Sequence, residues 1–497
     1  MTSTTQTDQN QLQHHLHQVI NGYIDRTSNS KQYAQQYRPV LADKSSLGLG
    51  FSPELKEVCY PIVISRSEGS RLWDVDGNEY IDILMGLGIN LFGHNPAFVK
   101  EAIAAQLDKG IQLGAQAELA GEVAQLIHDL TGVERVAFSN TGTEAIMTAI
   151  RLARTATSRS KIAVFTNSYH GHCDHTLVRA SIAEYAKKAA VRVIDRKSAA
   201  THWLQTLLHP LRTRLDASLN PKAVPAALGI PTSVASQVLV LDYGNPRSLD
   251  VIKAHRRELA AVLVEPIQSR RPELQPRAFL QQLRQVTQAE GIALIFDEMV
   301  TGFRIHPGGA QAWFDVEADL VTYSKIIGGG LPLSVIAGKS LYLDRIDGGM
   351  WHYGDRSAPQ VKTTFFAGTF CKHPLALAAA KAVLSYLKAN GSQLQDDLNQ
   401  KTAQLVQQIN SYCTTQSIPL QWTNFGSFFA LDTTQSIAPP MATNLLSYDL
   451  LNRGIHLRQG DKGGFLSAAH TDADVNTIAQ AFQQILSDLK MAGWFDH

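Results

Sequence analysis

From about residue 133 to 340, short apolar runs alternate with longer stretches of helical period. The runs are VERVAFSN, KIAVFTN, QVLVLDYG, LAAVLVEPI, GIALIFDEM, DLVTYSKII and LSVIAG. Each is rich in Val, Ile, Leu or Phe and closes on polar or glycine-containing residues. Continuous apolar runs suit strands buried on both faces, and the helices between them predict an α/β fold with a mainly parallel central sheet. Upstream, residues 1–10 are polar, and then Leu12, Leu16, Val19, Ile20, Tyr23 and Ile24 recur at helical spacing. Segment 196–235 breaks the rhythm with Pro210, Pro221, Pro225 and Pro231 and reads as an insertion between two strands. After about residue 375, PLALAAAKAVLSYLKAN predicts a helix, and a helix-rich stretch follows near 393–412. Strand-like WTNFGSFFALD, helical ATNLLSYDLLNRG and strand-like GFLSAA then predict a small α+β unit. A last helix starts near Asp472. Thr471 and Asp474 resemble a capping box there, and Val475, Ile478, Ala479, Phe482, Ile485, Leu486 and Leu489 form one apolar face.

Length turns this pattern into domains. At 497 residues the chain exceeds what one core of about 250–300 residues holds. The expected division is residues 1–95 as an N-terminal helix and strand segment joining the small domain, 96–370 as the large domain, and 371–497 as the C-terminal small domain. The charge balance, 45 basic against 44 acidic residues, makes no electrostatic case for nucleic acid or an anionic membrane. Cys59, Cys173, Cys371 and Cys413 lie far apart, which argues against a disulfide framework and suits a reducing compartment. The N-terminus lacks a secretory pattern, and no stretch approaches the ~18 uninterrupted apolar residues of a membrane span. A soluble cytoplasmic protein is expected.

The candidate chemistry lies at the ends of the predicted strands. LIFDEMVTGFR places Asp297 at the carboxyl end of one apolar run, and TYSKIIGGGLP places Lys325 at the end of the next. Ligands of open parallel sheets collect at those ends, so both side chains reach one crevice. Desolvation lowers a lysine's pKa and frees its amine as a nucleophile, while a carboxylate set against a pyridine nitrogen keeps that ring protonated and electron-poor. In FSNTGTEAIMTAIRLAR a strand opens directly into a helix, so the amides of Gly142 and Thr143, with the Thr143 hydroxyl, face an anion at a helix N-terminus. An ordinary N-cap looks the same. In NSYHGHCDH, Tyr169 is placed to lie on an aromatic ring, with His170 and Gly171 shaping the turn. His170, His172, Cys173 and His175 also invite a zinc reading, which the crowded turn spacing disfavours. His14, His15 and His17 read as solvated helix residues.

Together these residues resemble class III (subgroup II) pyridoxal-phosphate aminotransferases of fold type I, in the glutamate-1-semialdehyde aminomutase-like branch. More narrowly, the chain resembles the aminotransferase units of polyketide–nonribosomal peptide assembly lines. The matching stretches are YRPVLAD, SRLWDVDGNEYIDILMGLGINLFGHNP, SNTGTEAIMTAIRLAR, YHGHCDH, LVEPIQSRRPELQP, FDEMVTGFR, SKIIGGGLP, DGGMWHYGD, TFFAGTFCKHPLALAA and GFLSAAHT. The resemblance implies pyridoxal 5'-phosphate as cofactor, Lys325 as Schiff-base lysine and proton shuttle, and Asp297 at the pyridine nitrogen. It further implies Gly142 and Thr143 at the phosphate, Tyr169 stacked on the ring, and Glu265 and Met299 beside it. Thr369 would reach the phosphate of a neighbouring subunit, in a homodimer with shared active sites; by itself it reads as a buried strand threonine.

The departures bear on substrate. Val300 stands where many class III transaminases have a glutamine. Arg270 occupies the position where amine-handling members place an acid and aminomutases an asparagine, and Lys462 stands where the aminomutase pattern has an acid. Arg270 is suited to a carboxylate, a phosphate or a carrier arm, or else is a loop charge. Arg38 is a further carboxylate candidate. The implied reaction moves an amino group from a small-molecule donor, glutamate or glutamine, to an aldehyde or keto acceptor, including a β-keto acyl group on an acyl carrier protein. The alternatives are an intramolecular aminomutase, a pyridoxal-dependent decarboxylase or acyltransferase, and a non-catalytic binding protein that keeps the fold. Against the last, Lys325 and Asp297 are both present.

Overall fold

A computed structural model describes residues 6–44, 51–181 and 221–496. The N-terminal helix spans Gln6–Arg26 and is followed by the helix Ser28–Tyr37. Strands β1 (Ile64–Glu68), β2 (Arg71–Asp74) and β3 (Glu79–Asp82) form an antiparallel meander.

The large sheet holds β4 (Arg135–Ser139), β5 (Lys161–Phe165), β8 (Val238–Leu241), β9 (Leu259–Val264), β10 (Ala293–Asp297), β11 (Leu320–Tyr323) and β12 (Ser334–Gly338). Its order is β4-β12-β11-β10-β9-β5-β8. All seven apolar runs therefore enter one sheet, and only β12 among its strands runs against the others. β8, β9, β10, β11 and β12 are buried at every position, which explains runs without polar alternation. The helix Gly142–Thr157 covers one face. On the other face pack the helices Leu119–Thr131 and Arg277–Ala289. The helix Pro374–Asn390 buries Ala376, Leu377, Val383 and Leu387 in that same core.

Strands β6 (Val178–Ala180) and β7 (Ala223–Pro225) pair antiparallel beside the sheet. Residues 196–220 of the expected insertion lie outside the described residues.

A second core joins the two ends of the chain. Leu16, Val19 and Tyr23 of the first helix pack with Leu405, Ile409, Leu450, Phe482 and Leu486. Strands β13 (Trp422–Phe425), β14 (Phe428–Leu431) and β16 (Gly463–Phe465) make a three-stranded sheet. Strand β15 (Ile455–His456) instead adds to β3, with Ile455 opposite Ile81. The last helix, Asp472–Met491, carries the expected capping box: Thr471 accepts from Asp474 N, and Asp474 accepts from Thr471 N. All seven residues of its apolar stripe are buried. Among the described residues no helix is long and apolar enough to cross a membrane.

Candidate active site

Three neighbouring parallel strands deliver three titratable groups to one edge. Asp297 ends β10 opposite Thr322 of β11, and Lys325 follows three residues later on a short 3-10 turn, Lys325–Gly328. Glu265 follows β9, whose Val264 pairs with Phe296. Asp297 and Glu265 are buried. Lys325 adopts φ +50°, a left-handed conformation that a non-glycine residue takes at a cost.

The electrostatics follow from burial. Desolvation holds the Lys325 amine below the usual lysine range; Asp297 and Glu265 oppose this and Arg304 adds to it. Burial pushes the Glu265 carboxyl above its usual range, His170 opposes, and Asp297 adds. Its Oε2 accepts from Tyr169 N at 3.0 Å and its Oε1 from Ser269 Oγ at 3.4 Å. Asp297 Oδ2 pairs with His170 Nδ1 at 2.7 Å, and its Oδ1 accepts from Met299 N at 3.1 Å. His170 Nε2 is buried with no partner among the described residues.

The helix Gly142–Thr157 begins against this group. Thr141 caps it by accepting from Glu144 N at 3.3 Å, and the Glu144 carboxylate accepts from Asn140 N and Thr141 N. The amides of Gly142 and Thr143 donate to no described residue, so the first turn keeps two donors for an anion. A methyl at Gly142 would lie 3.0 Å from Met299 Sδ. At Gly171, with φ +79°, a methyl would lie 2.4 Å from Thr143 Oγ1. The helix start, the Tyr169–Gly171 turn and the Asp297–Met299 turn thus close around one space. Pyridoxal 5'-phosphate fits these residues: two free helix amides for a phosphate, a desolvated amine for an aldehyde, a carboxylate for a ring nitrogen. Tyr169, 52% exposed, leaves an aromatic ring uncovered beside them.

Other candidates lie outside this network or at its rim. Arg270 is exposed, one residue beyond Ser269. Thr369 is exposed rather than a buried strand threonine, and its neighbour Gly368 approaches Asn140 of the capped turn. Arg38, at the exposed end of Ser28–Tyr37, bears on Cys59, and the structure does not join it to the network. The histidines read as zinc ligands point apart: His170 to Asp297, His172 to Thr143, His175 to Arg154.

Two residues escaped the sequence reading in their roles. His170 was placed as a turn former, yet its ring pairs with Asp297; its adjacency to Tyr169 was the available signal. Gln268, fully buried, donates to Thr166 O at 2.7 Å and Ser168 Oγ at 2.8 Å, bracing the turn that carries Tyr169.

The family model "Aminotransferase class-III" matches residues 53–202 and 222–485. A glutamate-1-semialdehyde 2,1-aminomutase of Desulfitobacterium hafniense is 33% identical over 443 residues, covering 86% of this chain and 91% of the relative. Among solved structures, an omega-transaminase from Sphaerobacter thermophilus is 26% identical with a TM-score of 0.76, covering 93% of this chain and 98% of its own. A glutamate-1-semialdehyde aminomutase from Pseudomonas aeruginosa shares the fold at 21% identity, with a TM-score of 0.76 and coverage of 96% and 98%. The chain belongs to the class III aminotransferases, in their glutamate-1-semialdehyde aminomutase-like branch, and is an enzyme whose cofactor is pyridoxal 5'-phosphate.

Proposed function

We propose that this aminotransferase takes an amino group from glutamate or glutamine and delivers it to a β-keto acyl intermediate of natural-product assembly, presented as a thioester on an acyl carrier protein in the cytoplasm. The observation that carries the transfer is the placement of a desolvated Lys325 and of Asp297 at the same ends of adjacent strands. When bound, the cofactor supplies an aldehyde that condenses with amines and a ring that accepts the electron pair released at the substrate carbon. Lys325 moves the proton between that carbon and the cofactor, a role that needs an amine able to lose and regain its charge near neutrality. Asp297, oriented by His170 and by Met299 N, keeps the ring nitrogen protonated. Gly142 and Thr143 would hold the phosphate, and Tyr169, Glu265 and Met299 would contact the ring.

Thr369, exposed on its loop, serves the partner's phosphate in a homodimer with shared sites. Mixed dimers of Lys325→Ala and Thr369→Ala chains then recover activity that neither variant has alone. Arg270, uncovered at the rim beside Glu265, meets the acidic arm or carboxylate of the acceptor. Single-turnover amination of one β-keto chain, as free acid and as carrier thioester, tests the acceptor: preference for the thioester is expected, and equal use of ordinary α-keto acids sinks this assignment.

The 33% identity to an aminomutase over most of the chain favours a second reading, an intramolecular amine shift. Amino-group turnover without any added donor would select it.

A further inference from the structure

Arg304 is 1% exposed and has no carboxylate partner among the described residues. Its Nη1 donates to Ser427 Oγ at 2.8 Å, its Nη2 to Gly88 O, and its Nε to none of the described residues. The guanidinium carbon lies 5.0 Å from the Phe465 ring centre. Every partner is neutral. Burial brings its pKa down to about 9, so the group still carries its charge at neutral pH. Removing an arginine from water without an anion costs several kcal/mol, and a methionine would fill the same volume more cheaply. Such a charge calls for a purpose other than packing.

Its surroundings show two. Gly88 belongs to a left-handed run, Met85 (φ 49°), Gly86 (63°), Leu87 (60°) and Gly88 (84°), in which two non-glycine residues are strained. Asp82 holds the start of this run through Leu84 N and Met85 N, and Arg304 holds its end. A methyl at Gly88 would come within 2.7 Å of the Phe465 ring and 3.1 Å of Arg304 Nη2. On the other side, Arg304 follows Phe303, whose ring packs on Tyr323 at 5.0 Å, two residues before Lys325. The charges that act on the Lys325 amine are Asp297 and Glu265, which raise its pKa, and Arg304, which lowers it; Asp297 is itself paired with His170.

We propose that Arg304 is a positioning residue of the transamination site: its unneutralised guanidinium ties the left-handed Met85–Gly88 run and Ser427 to the loop after Asp297 and holds a fixed positive charge that keeps the Lys325 amine reactive. The proposal rests on the assignment of Lys325 as the cofactor-bearing lysine.

The test uses full-length apo-protein offered pyridoxal 5'-phosphate across a pH series. The adduct is fixed with borohydride and the Lys325 peptide is quantified by mass spectrometry. Arg304→Met is expected to raise the pH midpoint of labelling by about one unit, a roughly tenfold loss of label at a fixed pH below it. Arg304→Lys restores the wild-type midpoint because the charge returns, and Ser427→Ala leaves it in place because the charge never left. Hydrogen exchange at residues 85–88 speeds up about tenfold in Arg304→Met as the clamp opens. Should Arg304→Met not fold, Arg304→Gln keeps a donor for Ser427 and carries the same expectation. A folded neutral variant with the wild-type midpoint overturns the proposal. Wild-type protein that takes no label at Lys325 overturns the functional assignment instead.

Discussion

The edge around Lys325 and the cluster around Asp82 are both buried and polar, yet they are built to opposite rules. Asp82, 1% exposed, accepts four hydrogen bonds, from His94 Nε2 at 2.8 Å, His456 Nδ1 at 2.7 Å, Leu84 N at 2.9 Å and Met85 N at 3.1 Å. Burial alone would raise its pKa, but the bonds from His456 and His94 outweigh that and hold it far below the usual carboxylate range. Nearby, Asp474 accepts from Ser70, Arg71 and the Thr471 amide. At the other edge burial wins. Glu265 is raised, Lys325 is lowered, and no hydrogen bond or ion pair joins the Lys325 amine to another described residue. A cluster that only holds shape satisfies its charges from within; this site holds its carboxylates in place but leaves the Lys325 amine and two helix amides without partners among the described residues.

Removing a group from each cluster separates the two cases most sharply. Lys325→Ala is expected to lower amino-group transfer by about 10²–10⁴-fold or more, while the urea midpoint stays at or above wild type because a buried, unpaired amine has gone. Asp82→Asn should do the reverse. It breaks a buried charged network and costs about 3–5 kcal/mol of stability in urea titrations. A Lys325 variant as unstable as the Asp82 variant would erase the distinction.

This contrast also marks what the sequence makes legible. The seven sheet strands were readable because strands covered on both faces leave uninterrupted apolar runs, and Asp297 and Lys325 because they terminate two of them. The capping box at Thr471 was readable because it needs only residues in succession. The pairing of β15 with β3 was not, since Ile455 and Ile81 meet through packing across the whole chain. Nor was Arg304, because an arginine in TGFR reads as a surface charge until both chain ends close over it. His170 was visible as a residue but not as the partner of Asp297, because that contact joins positions 127 residues apart in the sequence.

Acid should reveal the shape-holding cluster before the site. Burial holds His470 down to about 4 from an ordinary value of 6.5, against the pull of Asp474 and Asp82. Between those values the unfolded chain binds the proton and the folded one does not, so stability falls as pH drops through that window, by on the order of 3 kcal/mol in all. Asp82 contributes in the same sense, at lower pH. Its folded pKa is depressed, so its stabilisation is complete above the ordinary 3.8 and is lost only as pH falls below that. Urea midpoints from pH 8 to pH 3 should therefore decline in two stages, and His470→Asn should flatten the upper one.

A smaller effect is expected from Gly171→Ala. The new methyl would press on Thr143 Oγ1 from a backbone with φ +79°. Strain of about 1–3 kcal/mol at such a position translates into roughly ten- to hundredfold weaker binding of pyridoxal 5'-phosphate in equilibrium dialysis. Stability of the cofactor-free protein should change less than in the Asp82 variant, since the strain falls on Thr143 at the proposed phosphate position.

The smallest effect belongs to Arg270, and it decides whether the open edge extends into solvent. Its side chain is exposed, and no ion pair ties it to a described residue. Exposed charge pairs contribute about 0–1 kcal/mol, so even a direct contact with an acidic acceptor predicts no more than about a fivefold rise in KM for Arg270→Ala. The turnover number should hold, because Lys325 and Asp297 are untouched. Salt supplies the control: a contact made at the rim is screened, so the difference between wild type and variant should shrink as ionic strength rises toward 1 M, where the screening length is about 3 Å. Identical KM values at low salt would make Arg270 an ordinary loop charge. The open edge of the site would then end at the hydrogen-bonded pair of Ser269 and Glu265.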